Sequence, residues 1–168
     1  MNYSNKLENN VYWVGVNDRE TELFENLWPI PNGISYNSYL IVDEKVVLVD
    51  TVKIDYQDSY LDNIMELTDG REIDYLVINH MEPDHSGSLK TLLKHFPDMK
   101  IIGNTKTSGF LKGFYSIEDN VIEVENNETL NIGDKTLEFF ITPMVHWPET
   151  MMTYLKEDKI YKATEGGN

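Results

Sequence analysis

Four side chains able to hold a metal fall within six residues, His80-Met81-Glu82-Pro83-Asp84-His85, directly after the apolar run Tyr75-Leu76-Val77-Ile78. Imidazole nitrogens with carboxylate oxygens suit iron, manganese or zinc, and the absence of cysteine excludes thiolate-held zinc and iron–sulfur clusters. Pro83 is read as breaking any helix, so the segment is expected as a loop. A loop leaving the C-terminal end of a buried strand aims its side chains at the place where open α/β sheets bind ligands. The plainer reading is a polar strand-to-helix turn in which Asp84 or Ser86 caps a helix carrying Leu89, Leu92, Leu93 and Phe96 and stopped by Pro97. A cap needs one oxygen, however, and does not need two histidines and a second acid.

The elements that must position this segment follow from apolar spacing. Val11 to Val16 reads as a first strand, and Tyr36 to Val42 with Val46 to Val49 as a hairpin around Asp43-Glu44. Ile54 to Leu67, with Tyr60, Leu61, Ile64 and Met65 on one face and Gly70 at its end, reads as a helix. A strand over Tyr75 to Asn79 precedes the His80–His85 segment, and a helix over Ser86 to Phe96 follows it. Lys100 to Ile102 is a short strand, Ser108 to Tyr115 a helix, and Val121 to Val124 an edge-like strand. Leu130 to Ile132, Thr136 to Ile141, Thr150 to Tyr154 and Lys159 to Tyr161 supply an antiparallel part. This order fits an α/β (α+β) chain with one pair of packed layers.

The same residues carry a family resemblance. His80-x-Glu82-x-Asp84-His85 resembles the iron-binding signature of flavodiiron proteins, the redox branch of the metallo-β-lactamase fold, in which glutamate stands where the hydrolases have a second histidine. Ser35 to Ile41, Val47-Leu48-Val49-Asp50-Thr51, Glu82 to Ser88 and Val145-His146-Trp147-Pro148-Glu149-Thr150-Met151 resemble that family in order and spacing, to about Ile160. The resemblance implies a metallo-β-lactamase-like αββα sandwich of which residues 1–168 supply only the N-terminal portion, with the flavodoxin-like FMN domain absent. It implies two irons per complete site: His80, Glu82 and His146 on the first, Asp84 on the second, and His85 at a position that holds water or the second iron. The family's bridging aspartate falls at Glu165 here, and its final histidine ligand has no counterpart. A chain carrying only the first of two sheets would leave a largely apolar face, to be covered by a second copy or by a separately made C-terminal half.

The activity so implied is that of a diiron oxidoreductase reducing O₂ to water, NO to N₂O, or both, with electrons from a flavin fed by a donor such as rubredoxin or a flavoprotein. FMN is not expected to bind this chain, which lacks a phosphate-cradling glycine loop, and the chain alone is expected to lack turnover. Two other classes stand beside it. One is a metal-dependent hydrolase, against which Glu82 argues; the other is a non-enzymatic metal- or diatomic-gas-binding module. A net charge of −15 excludes nucleic acid as a partner, since phosphate binding needs clustered cations. No apolar run approaches the ~20 residues of a membrane helix, so a cytoplasmic protein is expected. Among other candidates, Trp147 is read as adjacent to the site, Asp50 as an outer partner of a ligand histidine, and His95 as a surface residue.

Overall fold

The computed structural model describes residues 5–24 and 26–162. The chain begins with β1 (Asn5–Glu8) and β2 (Val11–Trp13), then makes an excursion through β3 (Val16–Asp18), the ribbon β4 (Leu23–Phe24) and β5 (Trp28–Pro29), and β6 (Ile34–Tyr36), which returns to pair with β3. The expected single strand over Val11 to Val16 is therefore broken in two, because the second piece leaves to pair with β6. Gly33 makes the return possible: its φ is +79°, and a Cβ there would sit 2.2 Å from the Asp18 carbonyl oxygen.

β7 (Tyr39–Val42) and β8 (Val46–Val49) form the expected hairpin. A 3₁₀ turn over Ile54–Tyr56 leads into α1 (Gln57–Thr68), which buries Tyr60, Leu61, Ile64 and Thr68 as one stripe and stops at Asp69 and Gly70, both with positive φ. Next come β9 (Tyr75–Val77), α2 (Pro83–Ser86), α3 (Leu89–His95), β10 (Lys100–Gly103), α4 (Thr105–Phe110) with a wider turn over Leu111–Tyr115, and β11 (Val121–Glu123). The chain then turns through β12 (Thr129–Asn131), β13 (Thr136–Ile141), β14 (Met151–Leu155) and β15 (Ile160–Lys162).

Among the described residues the first sheet runs β1-β2-β7-β8-β9-β10-β11, antiparallel as far as β8 and parallel from β8 onward; the second runs β12-β13-β14-β15, antiparallel throughout. β8 shows how the layers are made. Its Val46 and Leu48 face the cluster under the helices, with Tyr60, Ile64, Leu89 and Leu92, while Val47 and Val49 face the other sheet. Phe139, Leu137, Met151 and Leu155 of the second sheet close over that inner face with Val77 and Ile102.

That packing corrects the expectation of an exposed inter-sheet face: the second sheet is present and covers it. The described helices pack on the first sheet only, so the layers among the described residues run α/β/β. Two local expectations also change. Pro83 does not keep its segment a loop but opens α2 at the first helical position, where its missing N–H costs nothing. Neither Asp84 nor Ser86 caps the helix that follows: Asp84 lies inside α2, and the Ser86 hydroxyl donates to the Met81 and Glu82 carbonyls.

Asp18 ties the β3–β6 excursion together. Its buried carboxylate accepts from the Glu20 and Thr21 amides at 3.0 Å each, from the Thr21 hydroxyl at 2.6 Å and from Tyr36 Oη at 3.1 Å. Burial alone would raise this carboxyl, but the hydrogen bonds from Thr21 and Glu20 outweigh it and hold it well below the usual carboxylate range. A depressed folded pKa contributes stability above the unfolded value, lost as pH falls toward the folded one. Asp18→Asn is expected to lower the unfolding free energy by about 2 kcal/mol at neutral pH. The gap should narrow below about pH 4, where the unfolded-state carboxyl takes up its proton; urea unfolding at both pH values checks this.

Candidate metal centre

Three parallel strands in register, β8, β9 and β10, end on one rim, with Val47 opposite Tyr75 and Tyr75 opposite Lys100. The residues just past their ends are Asp50, Asn79-His80 and Asn104. Asp50 takes a left-handed conformation, φ +56°, which aspartate tolerates better than most residues. Its Oδ1 accepts from the Asn79 amide at 2.8 Å and the His80 amide at 3.2 Å, while its own carbonyl accepts from Ser38 Oγ at 2.9 Å and Tyr60 Oη at 3.2 Å. Asp50 therefore holds the main chain of His80, not its ring. Burial pushes its carboxyl up to about 8 against the pull of those two amides.

Asn79 ties this rim to the second sheet. Its carbonyl accepts from the Met151 amide at 3.0 Å, and its side-chain oxygen accepts from Thr153 Oγ1 at 2.8 Å. The second sheet thereby presents the loop ahead of β14, residues 142–150, across the end of β9. Three ligand atoms meet in the gap. Glu82 Oε2 lies 3.0 Å from His80 Nε2 and 3.0 Å from His146 Nε2, and the two imidazole nitrogens are 3.1 Å apart. His80 and Glu82 are buried, whereas the His146 side chain is 47% exposed and stands at the mouth. Among the described residues this is the trio whose ligand atoms lie within 4.8 Å of one another.

Behind the trio, His80 Nδ1 donates to Glu149 Oε1 at 2.8 Å, and that oxygen also accepts from the Met81 amide at 3.0 Å. Burial alone would push the His80 imidazole down, yet its contacts with Glu149 and Glu82 outweigh it and lift it to about 9. Glu149 is held below the usual carboxylate range in spite of its burial, by the same contact with His80 and by the Met81 amide. The pull that two carboxylates exert on a proton here is the pull they exert on any cation. Two imidazoles and a carboxylate, with Glu149 behind one of the imidazoles, make a donor set that fits a divalent first-row metal.

Asp84 and His85 lie on α2, outside the trio. The His85 ring is buried with its centroid 5.6 Å from that of His80; its Nδ1 has no hydrogen-bond partner among the described residues, and burial together with the His80 charge pushes it down to about 4. A neutral, unprotonated imidazole is the form that ligates. α2 is fastened by its ends: the His85 carbonyl accepts from the Thr51 amide and hydroxyl, and Ser86 Oγ lies 2.7 Å from Tyr115 Oη. Glu165 lies outside the described residues. Trp147 stands edge-on to His80, ring centroids 5.2 Å apart, and also meets Phe110, so an apolar wall borders the metal-side opening. His95 is exposed at the end of α3.

Glu149, Asn104, Ser38 and Tyr60 were not singled out from sequence as parts of the site. The one available signal was the acid three residues after His146. Nothing local marks it as buried.

Residues 34–164 match the family described as ODP family beta lactamase. A flavo-diiron protein of Clostridium acetobutylicum is 43% identical over 157 residues, covering 92% of this chain and 39% of that protein. An anaerobic nitric oxide reductase flavorubredoxin of Pectobacterium atrosepticum is 40% identical over 157 residues, 92% of this chain and 31% of that one. Among solved structures, the rubredoxin oxygen:oxidoreductase of Desulfovibrio gigas superposes with a TM-score of 0.89 at 34% identity, over 94% of this chain and 40% of that one. The chain thus spans two fifths or less of the length of these relatives.

Asp50→Ala leaves two buried amides without an acceptor and is expected to lower the unfolding free energy by about 2 kcal/mol or more. Asp50→Asn keeps the acceptor and tolerates the left-handed backbone, and should stay close to the parent chain. Chemical denaturation of the pair checks the contrast.

Proposed function

The chain belongs to the ODP family of beta lactamases, and on that premise we propose that it supplies the diiron part of an oxidoreductase of flavodiiron type. His80, Glu82 and His146 would hold one iron, and Asp84 with His85 would face the second, with Glu165 as the candidate bridge. The observation that carries the reading is the convergence of His80 Nε2, Glu82 Oε2 and His146 Nε2 to within 3.1 Å of one another around a buried imidazole backed by Glu149. Bound there, a pair of irons would supply the electron transfer that reduces O₂ to water or NO to N₂O, with electrons from a flavin and a donor of the rubredoxin or flavoprotein kind.

The chain's own residues divide the remaining work. His80 and Glu82 are buried and fix the position of the site, since moving either ligand would disturb packed neighbours. His146 stands on the rim beside Met144 and Val145, both about 70% exposed, so this side of the trio borders solvent. Trp147 and Phe110 form an apolar border, which limits water near a reactive centre. Glu82 separates this reading from the hydrolase: a carboxylate at that place gives the first metal a negative ligand, softening the Lewis acidity that activates water for hydrolysis. A metal-binding module without turnover is the second reading, favoured by the fact that the converging trio serves one metal.

The test is anaerobic loading with ferrous iron, followed by elemental analysis and Mössbauer spectroscopy. Iron should bind, and His146→Ala should weaken it about tenfold or more while leaving the unfolding free energy within about 0.5 kcal/mol, as for an exposed residue. O₂ or NO consumption should require an added flavin donor, and a coupled pair of irons would favour the enzyme over the binding module. Failure to bind iron, or hydrolysis of nitrocefin, would overturn the proposal.

A further inference from the structure

We propose that Glu149 is the positioning residue of this centre: one of its carboxylate oxygens sets the ring of His80 and the start of its loop, while its main chain ties the loop of His146 to α4. The claim rests on the metal reading above for what His80 is positioned to do. Glu149 is fully buried, and all its described side-chain hydrogen bonding passes through Oε1, which accepts from His80 Nδ1 and the Met81 amide. Oε2 is buried with no hydrogen-bond partner among the described residues. A carboxylate oxygen only accepts, so Nδ1 of His80 must carry the proton, and Nε2 is the nitrogen left to face Glu82 and His146. The Met81 contact matters as much, because it pins the peptide joining His80 to Glu82 and so fixes the angle between the two ligands.

The main chain of Glu149 makes the second tie. The Glu149 carbonyl accepts from Asn104 Nδ2 at 2.6 Å, and Asn104 Oδ1 accepts from the Lys106 and Thr107 amides at the start of α4. Asn104 follows β10 directly, so the loop carrying His146 is anchored to the first sheet three residues beyond that ligand. Thr150 completes the anchor, its hydroxyl donating to the Thr142 and Trp147 carbonyls across the same loop. The His146 ring is half-exposed and meets the rings of His80 and Trp147; Glu149 touches both loops at once and so sets the place of one relative to the other. A buried carboxylate is costly without hydrogen bonds, and here a single oxygen, Oε1, fastens the His80 segment to the loop of His146, 66 residues on in sequence.

Two measurements test this. The chain has four histidines, so ring protons of isotope-labelled histidine are resolvable by proton–nitrogen correlation without any metal added. A low-field, exchange-protected Nδ1 proton of His80 should be present in the parent chain and in Glu149→Gln, whose amide oxygen still accepts, and lost in Glu149→Ala. Titration with cobaltous ion, followed by its visible absorption, should show affinity about 10–100-fold weaker for Glu149→Ala and partly restored in Glu149→Gln. A parent chain without the protected proton would overturn the proposal, even if Glu149→Ala fails to fold. So would a folded Glu149→Ala that keeps both the proton and the parent affinity. A parent chain that binds no cobalt would sink the metal reading, while the ring proton still decides the role of Glu149.

Discussion

The register of the parallel strands β8, β9 and β10 is the constraint from which the rest of the site hangs. Side chains alternate along a strand, so a slip of one residue between β8 and β9 would turn Val47 and Val49 toward the helices and Val46 and Leu48 toward the second sheet. It would also carry Asp50 away from the Asn79 and His80 amides. All four β8 side chains are fully buried, so both faces of the strand enforce the same register. The apolar layers thereby decide where a polar group at the strand ends can stand, and the Asp50 contacts convert that position into a fixed main chain for His80.

A fixed main chain does not aim a ring. An imidazole turns about its side-chain torsions, and the Nδ1 contact to Glu149 with the edge of Trp147 against its face removes that freedom. The cost is electrostatic. Two carboxylates, Glu82 and Glu149, flank one imidazole in a region that excludes water, in a chain whose net charge is already −15. Such an arrangement is stable only with positive charge between the acids, which explains why the His80 ring is lifted in spite of its burial and why the gap suits a cation.

The segment His80 to His85 was legible because metal chemistry tolerates few residue types, so His80 and Glu82 needed no knowledge of the fold to be noticed, whereas His146 came only with the family resemblance. The family resemblance drawn from those segments is borne out by the match over residues 34–164 together with the likeness to flavodiiron relatives and structures. Short apolar runs placed β7, β8, β9 and β13, and the stripe of Tyr60, Leu61 and Ile64 placed α1. The excursion through β3 to β6 was not legible, since its strands are two or three residues long and carry no apolar run like the one that marks β9. The short helix α2 was missed because a proline that breaks a helix interior also opens one, and only the chain before it tells which. Nor could the second sheet's cover over Val47, Val49 and Val77 be seen in advance, because the strands that meet there are far apart in sequence.

What remained hidden at the site follows one physical rule. Ligands are recognisable by chemical type, whereas the groups that hold ligands are recognisable only by contact. Asn104 resembles an ordinary helix cap and is one, yet its other arm reaches the Glu149 carbonyl. Tyr60 resembles a core residue of α1 and is one, yet its hydroxyl meets Ser38 and the Asp50 carbonyl. Each serves local structure with one atom and the centre with another, so the packing that stabilises the sheets also sets the ligand geometry. A rim side chain such as His146 can then stay exposed, because its loop is fastened from beneath through the Glu149 carbonyl and Asn104.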